Sequence, residues 1–465
     1  MIRLFSHYLP VRLLVLFALE GLTLMASMYA GAALRFNVPL DAAGAVIDNL
    51  LLQAFCFALV TLLVLASVGL YSTDLPEGTR GMQIRIPIAF LASLGVMSLV
   101  FYLFPSLYLG RGAFGLAWSI AFLGVLLLRL LIFRWARLGV FERRVLVLGT
   151  GTRAVNVDVL VSSNPGSANL NIVGFLPLRA TQHHVQPSRI LPPEQSVVDA
   201  VHKYAVNEII VAVRDRRGGA LPMEELLECK LAGVKVTELS TFFERERGQL
   251  RLDSLNTSWL IFGDGFRQDN VRETVKRSFD IAASLALLIV ALPFMAITAV
   301  AILFEDAAPV LYRQERVGQG GSTFSIFKFR SMRKDAERDG KPRWAKTHDA
   351  RTTRVGTVIR KLRIDELPQI FNVLRGEMSF VGPRPERPFF VKELSEEIPY
   401  YNARHSVKPG ISGWAQVRYP YGASLEDSIE KLQYDLYYVK NHTLFLDIMI
   451  LLETVQVVLW GKGAR

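Results

Sequence analysis

One adjacent acidic pair, Asp365-Glu366, lies in a strongly basic stretch. The run RTTRVGTVIRKLRIDELPQIFNVLRGEMSFVGPRPERP, Arg351–Pro388, surrounds it with Arg351, Arg354, Arg360, Lys361, Arg363, Arg375, Arg384 and Arg387. Such a bed of cations suits an anionic, phosphate-bearing substrate. The pair inside it suits either a divalent metal or a nucleophilic carboxylate. Standing alone, the pair would be read as a helix cap beside a solvated glutamate. Its neighbours argue otherwise. Upstream, Lys328 and Arg330 alternate with Phe327 and Phe329, so both cations share one strand face. Two convergent cations suit a diphosphate. Downstream, Gly382–Pro388 is a proline-locked loop, and Pro383 and Pro385 hold Arg384 between them at little entropic cost. Asp435 follows Lys431 by one helical turn and reads either as a surface ion pair or as an active-site carboxylate. His183-His184 sits in a proline-flanked loop without identifiable metal partners, and His405 reads as a structural hydrogen-bonder.

These side chains need elements to hold them. Val355, Val358, Ile359 and Leu362 recur at helical spacing, so a helix leads up to the acidic pair. Asp365 is then expected near the N-cap of a second helix, Glu366 to Leu374, stopped by Gly376. A phosphate there would meet free N–H groups and the positive dipole end. Two strand-like pieces flank the glycine-rich turn around Gly318–Gly321 and carry Lys328. Phe389 and Phe390 read as residues dipping into a membrane interface, and Trp414 with several tyrosines as a membrane-surface belt. Ser424 and Asp427 form a capping box ahead of an apolar stripe of Leu425, Ile429, Leu432, Leu436 and Val439. Leu444–Trp460 is apolar but carries Asp447 and Glu453, so it reads as a packed or amphipathic helix at the membrane.

The whole chain sets the context. Its 465 residues leave room for two or three domains. It is 51% hydrophobic with a mean hydropathy of +0.29, which calls for membrane segments. A net charge of +11 and a pI near 9.6 point to lipid and phosphate rather than nucleic acid once those segments are counted. Cys56 and Cys229 lie far apart, which excludes a disulfide framework or cysteine-rich metal cluster and fits a reducing cytoplasm. No cleavable signal peptide is expected. Four runs, Val11–Leu34, Leu50–Tyr71, Ile86–Leu109 and Ala113–Phe133, are each long enough to span a bilayer. Arg3 and Arg12, then Arg80 and Arg85, then Arg134, Arg137, Arg143 and Arg144 flank them on one side, so both ends of this four-helix unit should face the cytoplasm. Glu20, inside the first run, is expected to face a helix partner or a polar path, and Arg129 to snorkel to the interface.

From Arg143 to Phe266 the pattern is α/β. Val145–Leu148 ends in Gly149-Thr-Gly151-Thr-Arg153-Ala154, a dinucleotide-type turn, and further strands are expected at Asn171–Phe175, Glu208–Val213 and Val234–Leu239. The acidic residue that would hold a ribose is missing, so a Rossmann-like domain without a bound dinucleotide is expected. Ile281–Phe304 is an uncharged run broken by Pro293. A fifth crossing would carry the arginine-rich site to the far side, so a re-entrant hairpin is expected there. The fold class is thus a membrane protein, α plus α/β. Residues 1–137 form the four-helix unit, 138–268 the Rossmann-like domain, and 269–465 an α/β monotopic catalytic domain with its hairpin at 281–304.

KRSFD, LYRQERVG, FKFRSM, IDELPQ, NVLRGEMS, VGPRPERP, RHSVKPGISGWAQV and YDLYYVKN follow one another from Arg272 onward. In this the chain resembles the bacterial sugar transferase family, the monotopic polyprenyl-phosphate phosphoglycosyl transferases. Its N-terminal half resembles that family's long form, the undecaprenyl-phosphate glucose- or galactose-phosphate transferases. RPERPFF and IPYYNARH also resemble the exosortase-associated exopolysaccharide branch. Leu292 precedes Pro293 where a small polar residue often stands in the family.

The resemblance implies transfer of a sugar 1-phosphate from a UDP-sugar to polyprenyl phosphate, with release of UMP, at the start of exopolysaccharide or related glycan assembly. It implies Asp365 as the nucleophile forming an aspartyl phosphosugar, and Glu366 as the holder of Mg²⁺. Lys328, Arg330 and Arg363 become phosphate binders, the Pro383-Arg384-Pro385 loop a grip on the nucleotide, and Asp435 a further functional candidate. It also implies the bacterial inner membrane, a catalytic domain on the cytoplasmic face, and a homodimer built through the N-terminal half. Residue chemistry alone leaves two alternatives open. One is a UDP-releasing glycosyltransferase with Asp365 as general base; the other is a non-enzymatic membrane scaffold or sensor.

Overall fold

The computed structural model describes residues 2–72, 78–136, 142–163, 170–178, 184–193, 195–213, 221–254, 265–266, 269–334, 336, 351–420, 422 and 424–460. It opens with two short paired strands, Ile2–Leu4 (β1) and His7–Leu9 (β2). The chain divides into two compact units, one of residues 1–2 and 9–247, the other of 3–8 and 248–465.

The first unit begins with four apolar helices, Val11–Phe36 (α1), Leu50–Ser67 (α2), Gly78–Leu103 (α3) and Arg111–Ala136 (α4). All four are long and apolar enough to cross a membrane. Small residues bring α1 against α4: a Cβ on Gly31 would lie 2.5 Å from the Ala117 backbone nitrogen. The third helix starts before the expected Ile86 and ends at Leu103, because Phe104 leads into a proline-initiated turn, Pro105–Leu107. Arg85 is therefore not a loop cation. It lies inside α3, 1% exposed, and donates to the Val68 carbonyl at 3.3 Å.

Arg129 does not snorkel either. It is 3% exposed, with Nε 2.5 Å from the Glu20 carboxylate, and donates to the Leu70 carbonyl at 3.0 Å. The Tyr71 hydroxyl donates to the same carboxylate. Glu20 thus has its helix partner. Two opposite charges among apolar side chains satisfy each other where neither could stand alone.

The unit continues as a parallel sheet of Arg143–Leu148 (β3), Leu170–Leu176 (β4), Glu208–Val211 (β5) and Lys235–Glu238 (β6), in the order β4-β3-β5-β6. Helices Thr152–Ser163 (α5), Val197–Tyr204 (α6), Met223–Leu231 (α7) and Leu239–Arg247 (α8) accompany it. Val145, Val147 and Ile210 pack on one face with Ala154, Val157 and Phe242. Leu146, Leu148, Ile209 and Val211 pack on the other with Ala200 and Leu226. Strands buried on both faces read as continuous apolar runs, as Val145–Leu148 and Ile209–Val211 do. Gly149, at φ +108°, turns the chain from β3 toward α5; a Cβ there would meet the Ala212 carbonyl oxygen at 3.3 Å. His184 donates its backbone N–H to the Thr150 carbonyl, and His183 lies outside the described residues.

The second unit is organised on a 37-residue helix, Asn270–Asp306 (α9), continuous through Pro293. It is the fifth helix long and apolar enough to cross a membrane. Its middle is strongly exposed at Ile289, Val290, Leu292 and Ile297, whereas Ala291, Met295 and Ile302 are buried in the unit's core. An antiparallel hairpin follows, Leu311–Val317 (β7) and Thr323–Phe329 (β8), turned at Gly320 with φ +66°. Next come Arg354–Lys361 (α10), a 3₁₀ turn at Ile364–Gln369 and Ile370–Arg375 (α11). Ser379–Val381 (β9) pairs in parallel with Gly410–Ser412 (β10), and Pro388–Glu397 (α12) lies between them in sequence. Trp414–Arg418 (α13), Leu425–Asn441 (α14) and Leu444–Trp460 (α15) complete it.

The expected capping box is present, with Ser424 and Asp427 exchanging backbone bonds. The expected aromatic belt is not. Trp414 is 2% exposed, donates its ring N–H to the Gly248 carbonyl at 2.7 Å and stacks on Tyr437. Tyr434, Tyr437 and Tyr438 are buried in the same core because α14 is enclosed on all sides over its second half. Of the two phenylalanines expected at an interface, Phe389 is exposed and Phe390 buried. His7 joins this core: its Nδ1 lies 2.6 Å from the Tyr437 hydroxyl, and its ring meets Trp414 edge-on.

Candidate active site

The acidic pair is delivered by a tight change of direction. Thr353 caps α10, accepting from the Gly356 N–H at 2.9 Å. Glu305, near the end of α9, accepts from the N–H groups of Arg354 at 2.7 Å and Val355 at 2.9 Å. Arg363 then adopts a left-handed conformation, φ +59°, and the chain enters the 3₁₀ turn that carries Asp365 and Glu366. Asp365 is therefore not an N-cap, and α11 starts at Ile370 rather than Glu366. Pro368 lies inside the 3₁₀ turn, which runs to Gln369, and regular α-helix follows it. Gly376 does end α11, at φ +84°.

Asn372 fixes this segment against the hairpin. Its Nδ2 donates to the Ser325 carbonyl at 2.8 Å and its Oδ1 accepts from the Phe327 N–H at 3.0 Å. Lys328 is thereby brought to Glu366, with Nζ 2.8 Å from Oε1. Arg384 reaches the same oxygen at 3.3 Å, and Arg363 reaches Oε2 at 3.5 Å. Glu366 is buried at the centre of three cations. Burial alone would raise its pKa; Lys328, Arg384 and Arg363 outweigh burial and hold it well below the usual carboxylate range.

Asp365 differs. It is half-buried and, among the described residues, takes no hydrogen bond or ion pair. Burial, then the Glu366 charge, push it up to about 6, against the pull of Lys328, Arg360 and Arg363. Burial also lowers Lys328 from its ordinary value, with Glu366 opposing. Two neighbouring carboxylates thus have divergent environments: one fixed and ionised, the other unpartnered and basic.

The loop bearing Arg384 is held at four successive carbonyls. Pro383 accepts from the Gly410 N–H at 3.0 Å, Arg384 from Arg404 at 2.9 Å, Pro385 from Arg316 at 3.1 Å and Glu386 from the Val317 N–H at 2.9 Å. Beneath it Gly382, Gly410 and Gly413 interlock: a Cβ on Gly382 would lie 2.3 Å from the Lys408 carbonyl oxygen. Strand β9, which feeds the loop, is tied to α9. Lys276 donates to the Val381 carbonyl at 3.1 Å and pairs with Asp447 at 2.6 Å. Asp280 accepts from the Ser379 hydroxyl at 3.0 Å and the Phe380 N–H at 3.2 Å.

Lys328, Arg363 and Arg384 therefore converge on the acidic pair, and Arg330 and Asp435 do not. Arg330 donates to the carbonyls of Asp306 at 2.9 Å and Ala307 at 2.7 Å, closing the C-terminus of α9. It lies beyond the end of β8, so alternation with Lys328 did not carry it to the same target. Asp435 is no surface partner of Lys431. It is 2% exposed and pairs with Arg404 at 2.8 Å, while Lys431 donates to the Gly422 carbonyl. Reading the sequence alone assigned no role at the site to Arg404, Arg316, Lys276, Asp280 or Asp447. Asp447 in an otherwise apolar helix was the one visible signal, since a buried carboxylate requires a partner.

The pair also bears on a divalent cation. Among the described residues no three Asp, Glu, His or Cys side chains converge as a metal cage. Magnesium does not require one, because one or two carboxylates plus substrate phosphates are its common donors. Asp365 offers unpartnered oxygens, and Glu366 Oε2 meets Arg363 only at 3.5 Å, so the pair fits such an ion.

Residues 271–461 match the bacterial sugar transferase family. A UDP-N-acetylgalactosamine-undecaprenyl-phosphate N-acetylgalactosaminephosphotransferase of Aeromonas hydrophila is 44% identical over 240 residues, 52% of this chain and 56% of that one. An undecaprenyl-phosphate glucose phosphotransferase of Komagataeibacter xylinus is 42% identical over 194 residues, 41% of this chain and 36% of that one. The chain thus spans about half, and about a third, of those two relatives' lengths. A UDP-glucose:undecaprenyl-phosphate glucose-1-phosphate transferase of Xanthomonas campestris pv. campestris is 32% identical over 333 residues, 70% of this chain and 68% of that one. On that extent of likeness, the chain belongs to the bacterial sugar transferase family.

Proposed function

We propose that this protein transfers a sugar 1-phosphate from a UDP-sugar to polyprenyl phosphate, releasing UMP, and so begins assembly of an exopolysaccharide or related glycan. The observation that carries this reading is the unpartnered Asp365 carboxylate beside a glutamate already held by Lys328, Arg363 and Arg384. The relatives' names add an undecaprenyl phosphate acceptor and, for two of them, a UDP-sugar donor.

An Asp365 oxygen attacks the sugar-side phosphorus of the diphosphate. A bond forms from Asp365 to phosphorus, and the bond from that phosphorus to the bridging oxygen breaks. UMP leaves with the bridging oxygen. An oxygen of polyprenyl phosphate then attacks the same phosphorus, and the bond to Asp365 breaks with return of its carboxylate. The two displacements balance without a net proton. Lys328, Arg363 and Arg384 bind and orient the diphosphate and offset the charge that gathers on the departing UMP. Glu366, with Asp365 beside it, would hold Mg²⁺, which supplies further neutralisation of the diphosphate. No dinucleotide is part of this chemistry.

The surrounding architecture follows the same reading. The four apolar helices form a transmembrane unit with both ends in the cytoplasm, the parallel sheet is a Rossmann-like domain, and residues 269–465 are the monotopic catalytic domain. Helix α9 enters and leaves one leaflet of the bacterial inner membrane. A straight helix would separate Arg277 from Asp306 by roughly 43 Å. Yet Arg277 donates to the Val373 and Leu374 carbonyls while Asp306 meets Arg330, and Asn372 ties these neighbourhoods together. That closeness supports a bend at Pro293. The N-terminal half joins a second copy.

The test is the nucleotide released. Membranes bearing the protein are given polyprenyl phosphate, Mg²⁺ and a panel of UDP-sugars. UMP from the wild type and none from Asp365→Asn is expected. UDP in its place would mean direct glycosyl transfer and overturn the reading.

A further inference from the structure

Asp435 cannot touch a substrate from where it stands. It is 2% exposed, on the enclosed part of α14, with Arg404 between it and the loop of Arg384. Arg404 is 6% exposed and has three partners: the Asp435 carboxylate at 2.8 Å, the Tyr401 hydroxyl at 2.6 Å and the Arg384 carbonyl at 2.9 Å. The Arg384 guanidinium, by contrast, is about one-third exposed and reaches Glu366 at 3.3 Å. By donating to the Arg384 carbonyl, the buried Arg404 guanidinium takes up that residue's backbone and not the side chain that reaches Glu366. It also fixes the direction in which the side chain leaves the loop.

We propose that Asp435 is a positioning residue: it holds Arg404 in place, Arg404 holds the Arg384 backbone, and Arg384 is thereby aimed at the acidic pair. This rests on the phosphosugar-transfer reading above, and it reassigns Asp435 from substrate binding to support of the phosphate-binding arm. The other charged and titratable groups facing Asp435 are Glu386 on the loop, Lys431 on its own helix and, through Arg404, Tyr401. Burial raises Asp435 to about 6, with Arg404 opposing, so it is ionised at neutral pH and can hold the Arg404 guanidinium there.

The experiment measures UMP release and melting temperature for full-length wild type, Asp435→Asn, Arg384→Ala and the double variant in membranes. Asp435→Asn should lower turnover by about 10–100-fold, the range usual for partners that orient a functional group. The double variant should be no slower than Arg384→Ala alone, because Asp435 acts only through that side chain. Multiplying effects would overturn the proposal. Should Asp435→Asn fail to fold, Arg404→Lys takes its place in the same cycle with Arg384→Ala: no loss beyond that of Arg384→Ala is expected, and multiplying effects would overturn the proposal. Wild type releasing no UMP from any donor would sink the transfer reading and this inference with it; wild-type release with multiplying effects sinks this inference alone.

Discussion

Asp365 and Glu366 are neighbours in sequence and opposites in environment. Glu366 has its charge fixed by three cations, whereas Asp365 has burial and a like charge against it. A carboxylate that is reluctant to be charged is a better nucleophile than one already satisfied. On the proposed mechanism Asp365 attacks as the carboxylate, so turnover should be full above about pH 6 and fall as pH drops through that value, read from the rate of UMP release. The same shift bears on stability. The folded pKa lies above the unfolded value, so the charged form costs stability at neutral pH and that cost disappears on acidification. Asp365→Asn should thus raise the melting temperature at pH 7.5 while abolishing UMP release. Lys328→Met tests the cation bed: turnover should drop by about 10²–10³-fold, the usual effect of losing one preorganised charge-stabilising donor. The gathering of Asp365, Glu366, Lys328, Arg363 and Arg384 was legible in the sequence because their types and motifs point to one anionic substrate. The partners of Arg330 and Asp435 were not, because they come from segments distant in sequence, and no local spacing encodes that meeting.

Local elements were readable where local rules decide them. The apolar spacing of Val355–Leu362 gave the α10 helix, the strand runs gave β3 to β6, and Ser424 with Asp427 gave the start of α14. The start of α11 was not readable: a 3₁₀ turn containing Pro368 carries both carboxylates ahead of the α-helix. Charges inside the apolar helices were the hardest to read. Arg129 looked like a snorkelling residue, but Glu20 on another helix is its partner. Breaking such a buried pair from one side leaves an unmatched charge. Arg129→Leu should therefore cost roughly 3–5 kcal/mol, and adding Glu20→Gln should return most of it. Thermal unfolding of the detergent-solubilised protein would check both. If Arg129→Leu melts like the wild type, the pair does not hold the helices. Helix α9 has a second duty besides its apolar surface. Lys276, Arg277 and Asp280 grip β9 and α11, so the element whose middle exposes an apolar surface also sets the strand leading to Arg384.

Across the whole molecule, the second compact unit gathers residues from both ends of the chain. Leu250 is 1% exposed in its core, and the Leu250 N–H donates to the Gln433 carbonyl at 3.0 Å. His7 packs between Trp414 and Tyr437. Neither was visible in the sequence, because Leu250 falls in the stretch read as the end of the Rossmann-like domain and His7 precedes an apolar run. Leu250→Ala in the full-length protein should destabilise the second unit by about 2–5 kcal/mol, read as a lower melting temperature. The measurement that bears most directly on the covalent mechanism omits the acceptor. Purified full-length protein is mixed with its UDP-sugar and Mg²⁺ but no polyprenyl phosphate. Nucleotide release and protein mass are followed through a single turnover. A burst of about one UMP per protein is expected, with a sugar-phosphate mass gain that maps to Asp365 and is lost on adding polyprenyl phosphate. Release of UMP only once the acceptor is present, with no mass gain at Asp365, would contradict it.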